Sequence, residues 1–150
     1  MHECQPSAEL RDLRRSAFSE VLFRAYRWCR VRRACTRVAL RLEGNQLYFA
    51  TLRRVLAAYH GAVAGAYSYG SGLVPGACPA GVVIGRYVSI AAVVRVFLRN
   101  HPLGRLSLHP FFCNAALGQV PEDNISTGTQ VVEADAWLGE RAMIMPAVPG

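Results

Sequence analysis

A mainly β fold of the β-helix kind, headed by a helical segment, is predicted by three features of the chain. These are a six-residue repeat in two blocks, a glycine-rich stretch before the first block, and an arginine-rich head free of glycine and proline. The first block reads Ile84-Gly85-Arg86-Tyr87-Val88-Ser89, then Ile90-Ala91-Ala92-Val93-Val94-Arg95, then Val96. The second reads Val132-Glu133-Ala134-Asp135-Ala136-Trp137, Leu138-Gly139-Glu140-Arg141-Ala142-Met143 and Ile144-Met145-Pro146-Ala147-Val148-Pro149. The first four complete units open on an aliphatic residue, follow it with a small or acidic one, and have a compact fifth residue; the last has Met145 second. A period of six belongs to neither an α-helix nor an ordinary strand, and it suits a solenoid in which each unit makes one short flat side with its aliphatic residue inward. With average composition, one position in roughly a hundred would begin such a unit, so several in register argue against a merely Val- and Ala-rich strand pair.

The head precedes the repeat. Residues 8 to 42 contain no Gly or Pro and place Leu10, Leu13, Ala17, Val21, Ala25, Trp28 and Cys35 at mixed three, four and seven spacings, which predicts one or two helices. Glu43-Gly44-Asn45 signals a turn, and Leu52, Val55, Leu56 and Tyr59 predict a further short helix before Gly61. Glycines at 61, 65, 70, 72, 76, 81 and 85, with Tyr67 and Tyr69 among them, suit irregular first units whose corners need positive φ, starting near Val63. The boundaries are therefore a helical segment over 1–60 and a repeat domain over 61–150. Inside the latter, 97–131 breaks the repeat as a projecting loop.

Composition narrows the class. The chain has 150 residues and 52% apolar content, enough for one core. It has no run of about 18 uninterrupted apolar residues and no charged-then-apolar leader, so a cytoplasmic location is expected. The five cysteines, Cys4, Cys29, Cys35, Cys78 and Cys113, form no Cys-x-x-Cys pair and are expected to be reduced, with Cys78 and Cys113 inert. The net charge of +7 comes entirely from the head, and no lysine occurs anywhere, a bias that base composition of the gene explains as readily as phosphate recognition. A basic amphipathic helix can lie on anionic lipid, but more often its polar face is solvated while the other packs on its own domain or a partner subunit. No nucleic-acid partner is expected, and membrane contact by the head is a secondary alternative.

Chemistry is expected in the loop, since insertions of a solenoid gather on one face above rigid units. It contains Asn100-His101-Pro102, Ser107-Leu108-His109-Pro110-Phe111-Phe112 and Pro121-Glu122-Asp123. Histidine takes up and returns a proton near neutral pH, so His101 and His109 are the candidates.

These residues resemble the hexapeptide-repeat acyltransferases, in particular the xenobiotic acetyltransferases that include type B chloramphenicol and streptogramin acetyltransferases. The resemblance rests on Asn100-His101 followed by Ser107, His109, Pro110 and Phe111, and on Asp135-Ala136-Trp137-Leu138-Gly139, and it covers about Tyr59 to Gly150. It implies a left-handed parallel β-helix assembled as a homotrimer, with acetyl-CoA as co-substrate between subunits and no metal. It further implies that His101 is the general base for a small-molecule alcohol acceptor: a sugar, a glycan or a xenobiotic. Asn100, Ser107, His109, Phe111 and Tyr67 would then shape the acceptor site, and Trp137, Gly139 and Ala142 the CoA site. Coil-edge packing for Trp137 and a subunit contact for Tyr67, Tyr69, Phe111 and Phe112 remain open alternatives. The family continues through further hexapeptides where this chain stops at Gly150, so part of the CoA site is expected to be missing. Two other readings compete: a noncatalytic scaffold, and a zinc enzyme of the γ carbonic anhydrase type. The eight-residue spacing of His101 and His109 and the distant His60 disfavour the zinc enzyme.

Overall fold

The computed structural model describes residues 13–102, 104 and 106–146. Leu10 of the head and positions 147–149 of the last six-residue unit lie outside them.

The Gly- and Pro-free head forms α1 (Ser19–Ala25), a 3-10 turn (Cys29–Val31) and α2 (Arg32–Glu43). α2 stops at Gly44, whose φ of 93° a side chain would resist. The helix expected around Leu52–Tyr59 is present as α3 (Ala50–Val55), continued by a π turn (Leu56–His60) and ended by Gly61 at φ 65°. Glu43, only 1% exposed, accepts from the Thr51 N–H at 2.9 Å, the Thr51 hydroxyl at 2.6 Å and the Ser16 N–H at 3.2 Å. Its carboxylate thus sits at the N-terminus of α3, where unpaired N–H groups favour an anion.

Arg53 joins this head to the strands. It is 3% exposed; Nε donates to the Gly65 carbonyl at 2.9 Å, Nη1 to those of Gln46 and Phe49 at 2.9 Å each, and Nη2 to that of Ser68 at 3.0 Å. Burial pushes its pKa down to about 10, so the group remains charged at neutral pH among neutral carbonyls.

Ten strands follow, each two residues long: β1 (Val63–Ala64), β2 (Tyr69–Gly70), β3 (Val83–Ile84), β4 (Ser89–Ile90), β5 (Arg95–Val96), β6 (Arg99–Asn100), β7 (Ser126–Thr127), β8 (Val131–Val132), β9 (Trp137–Leu138) and β10 (Met143–Ile144). They make parallel sheets β1-β3-β8, β2-β4-β9 and β5-β10, and an antiparallel pair β6-β7. Register is in phase throughout, as Val63, Val83 and Val131 form one row and Tyr69, Ser89 and Trp137 another. The unit-opening residues Ile84, Ile90 and Val132 are buried with Phe49, Leu52, Leu56, Leu73, Val82 and Val88 in the main core, against which Val96 and Leu138 also pack.

The expected mainly β, left-handed parallel β-helix is not what is found. Among the described residues strand accounts for only about 15%, in small parallel sheets of three, three and two strands beside three α-helices, and no left-handed β-helix is evident. The physical reason is local. Only two residues of each six-residue unit enter a ladder, and left-handed corners interrupt the rest. Those corners are at Tyr67, Tyr87, Val93, Asp135 and Arg141, with φ of 64°, 59°, 61°, 61° and 62°. Glycine shares the positive-φ positions, at Gly61, Gly70, Gly76 and Gly81, as expected for this stretch. Gly65 and Gly85 serve close approach instead: a Cβ on Gly65 would lie 2.6 Å from the Gly85 carbonyl carbon, and one on Gly85 would lie 2.7 Å from the Ala134 nitrogen.

Candidate active site

Leaving the third sheet at β5, the chain runs outward through β6 and returns through β7 before entering β8 in the first sheet. The neck of this loop is held by the pairs Arg99–Thr127 and Asn100–Ser126 and by the Gly128 N–H donating to the Leu98 carbonyl at 3.1 Å. Further out, the Asn124 N–H donates to the Cys113 carbonyl at 3.0 Å, and Asp123 accepts from the Ala115 N–H at 2.8 Å.

His101 follows β6 directly. Its backbone N–H donates to Asn100 Oδ1 at 2.9 Å, and buried Pro102 restricts it to extended conformations. The side chain is exposed, and its imidazole makes no hydrogen bond or ion pair with another described residue.

His109 is engaged differently. Its N–H donates to Ser107 Oγ at 3.2 Å, and its Nδ1 accepts the Phe111 N–H at 3.3 Å, capping the 3-10 turn Pro110–Phe112. Proline at the first position of that turn needs no N–H partner, so the cap is well matched to the sequence. Accepting at Nδ1 engages that nitrogen's lone pair and leaves Nε2 as the ring nitrogen without a recipient among these contacts. Its ring meets the half-exposed Phe111 edge-on with centroids 4.6 Å apart. Ser107, His109 and Phe111 thus form one cluster, and Asn100 with His101 another; the two histidines share no hydrogen bond.

Tyr67 is not brought to this loop. It occupies the corner before β2, stacked on Tyr87 and edge-on to Tyr48 of the head, and its N–H donates to the Leu47 carbonyl at 3.2 Å. Trp137 points outward from β9 and is 78% exposed, in the same row as Ser89 and Tyr69. Nothing lies within 4 Å of where a Gly139 Cβ would stand. Ala142 borders β5, its carbonyl accepting the Arg95 N–H at 3.0 Å, on the strand that leads into the loop. Trp137 is exposed, whereas Gly139 and Ala142 are half-buried.

His60, the third histidine of the described residues, is within the head, its Nε2 2.8 Å from the Tyr26 hydroxyl. Burial, reinforced by the Arg32 charge, lowers its pKa. Burial likewise raises that of the Cys78 thiol, which keeps it protonated. Among the described residues no three His, Cys, Asp or Glu side chains gather as a metal site would require, and no helix is long and apolar enough to cross a membrane.

One feature of the structure has no counterpart in the repeat pattern. A groove of about 590 Å³ runs over the outer face of the first sheet, between it and the head, lined among others by Val63, Val83, Val131, Phe23, Ala57 and Arg86. Only the facing of α1 and α3 onto the sheet creates it, although the valine spacing marks its floor. Comparison of the chain with protein-family models, with curated proteins and with solved structures finds no match in any of the three.

Proposed function

We propose that this chain is an acetyl-CoA-dependent O-acetyltransferase acting on a hydroxyl of a sugar, a glycan or a small xenobiotic, with His101 as general base. The observation that carries the reading is the division between the two loop histidines. His109 has its Nδ1 lone pair taken by the Phe111 N–H, while His101 offers a free imidazole on a backbone fixed by Asn100 and Pro102.

Acetyl-CoA would supply the acetyl group as a thioester. His101 takes the proton of the acceptor hydroxyl as its oxygen attacks the acetyl carbon, and returns that proton to the departing sulfur, a contribution of roughly 10²- to 10⁴-fold. Ser107 accepts the His109 N–H through Oγ, so its own O–H remains to be donated, either to the acceptor or to developing negative charge. An oxyanion donor of this kind contributes on the order of 3 kcal/mol. In this reading half-exposed Phe111 offers an apolar surface to the acceptor, and exposed Trp137 with Gly139 and Ala142 takes the pantetheine portion.

A catalytic base is normally oriented by a third group. His101 has none among the described residues, and in this reading a neighbouring copy of a homotrimer supplies it.

The test is thiol release from acetyl-CoA by the purified chain against a panel of sugar and antibiotic alcohols. Acceptor-dependent release is expected. No release with any acceptor, together with no binding of acetyl-CoA, overturns the reading and leaves the noncatalytic scaffold.

A further inference from the structure

The groove between the head and the first sheet is built from two kinds of residue. Its floor is the row of Val63, Val83 and Val131, whose β-branched side chains point away from the core. Its wall is Phe23 of α1 with Ala57 and Ala58 of the π turn, where two successive alanines leave width that larger residues would close. About 590 Å³ lies within the range of small-molecule sites and suits a single apolar chain.

The charged lining is unevenly satisfied. Arg54 is paired with Glu20 at 3.0 Å and rests over the Phe23 ring, its carbon 4.2 Å from the centroid. Arg53 lies buried under the groove and, among the described residues, bonds only backbone carbonyls, with no carboxylate paired to it. Arg86 reaches over the Tyr67 and Tyr87 rings, and its Nε is the one buried side-chain nitrogen or oxygen among the described residues with no hydrogen-bond partner. An unpaired buried donor is costly; Nε has almost no exposed surface, so a ligand's acceptor reaches it once the Arg86 side chain, which lines the groove, turns toward the ligand. Exposed Glu133 is the opposing charge in the lining.

We infer that this groove is a binding site for a single-chain amphiphilic anion, with its alkyl portion on the Val63–Val83–Val131 row and its anionic head at Arg86. It shares none of the residues assigned to acyl transfer and does not rest on that assignment.

Isothermal titration of the full chain with decanoate, decyl phosphate and the neutral match 1-decanol tests it. Decanoate or decyl phosphate is expected to bind one to a chain, and 1-decanol roughly tenfold more weakly, because a charged hydrogen bond is lost. Arg86→Gln should weaken the anion by about tenfold, with no comparable effect on 1-decanol. Glu133→Gln should tighten it a few-fold. Ala57→Trp, at an exposed helical position that leaves the fold intact, should abolish binding by filling the groove. Equal affinity for 1-decanol, or anion binding that survives Ala57→Trp, overturns the inference. So does failure of both anions to bind; if Ala57→Trp then breaks an assembly in sedimentation, the groove holds a second copy of the chain.

Discussion

Tyr67 and Tyr87 stack with ring centroids 5.2 Å apart and planes 11° apart, each at a left-handed corner with φ of 64° and 59°. A side chain in this conformation costs roughly 1–2 kcal/mol, and an aromatic pair returns about 0.5–1.5 kcal/mol. Val93 holds φ 61° with no such stack and is 55% exposed, and a β-branched residue tolerates that conformation worst. Val93→Asn is therefore expected to stabilise the chain by about 0.5–1 kcal/mol. Tyr87→Asn, which also loses the stack, should gain less, and a denaturant midpoint for each variant checks the order.

Gly65→Ala and Gly85→Ala should both destabilise by about 2–3 kcal/mol or more, because the added methyl meets backbone of the next unit at 2.6 Å and 2.7 Å, where no side chain can swing aside. Gly139→Ala, facing open space, is the control and should be nearly neutral. Thermal unfolding of the three variants separates the effects.

Stability should fall as the pH drops through about 6.5. Burial first, then the Arg32 charge, holds the folded pKa of His60 below its ordinary 6.5. The unfolded chain therefore binds the proton more readily, so acidification favours unfolding, and the contribution is fully present only above that value. His60→Gln, which can still bond the Tyr26 hydroxyl, should flatten this part of the profile. Urea midpoints at several pH values measure it, and an unchanged slope in the variant would remove His60 as the cause.

Glu43→Ala should cost about 3 kcal/mol, since it leaves the buried Thr51 N–H and the Ser16 N–H without their acceptor, leaves the Thr51 hydroxyl only the Ser19 hydroxyl, and uncaps α3. Glu43→Gln keeps one acceptor oxygen and should lose less.

The inward phase of Ile84, Ile90 and Val132 was legible in the sequence because burial of one aliphatic per six-residue unit imposes its period directly. The helix ends at Gly44 and Gly61 were legible for a similarly local reason, their positive φ. The mainly β, left-handed β-helix was an overreach, because the repeat reports which residues face inward and not how many of them enter ladders. Corners carried by Tyr, Val, Asp and Arg gave no glycine signal. The burial of Arg53 and Glu43 depends on carbonyls and N–H groups brought together only by packing, as does the groove. Within the loop, Asn100-His101 and Ser107-His109-Phe111 stood out by residue type. That His109 is held by a backbone donor and His101 is not could be learned only from coordinates.

The central claim, that His101 and not His109 moves the proton, is tested most directly by acceptor-dependent thiol release in His101→Ala and His109→Ala prepared side by side. A loss of roughly 10²-fold or more in kcat is expected for His101→Ala, and for His109→Ala a change mainly in KM for the acceptor. Full activity in His101→Ala, or an equal loss of kcat in His109→Ala, would contradict it.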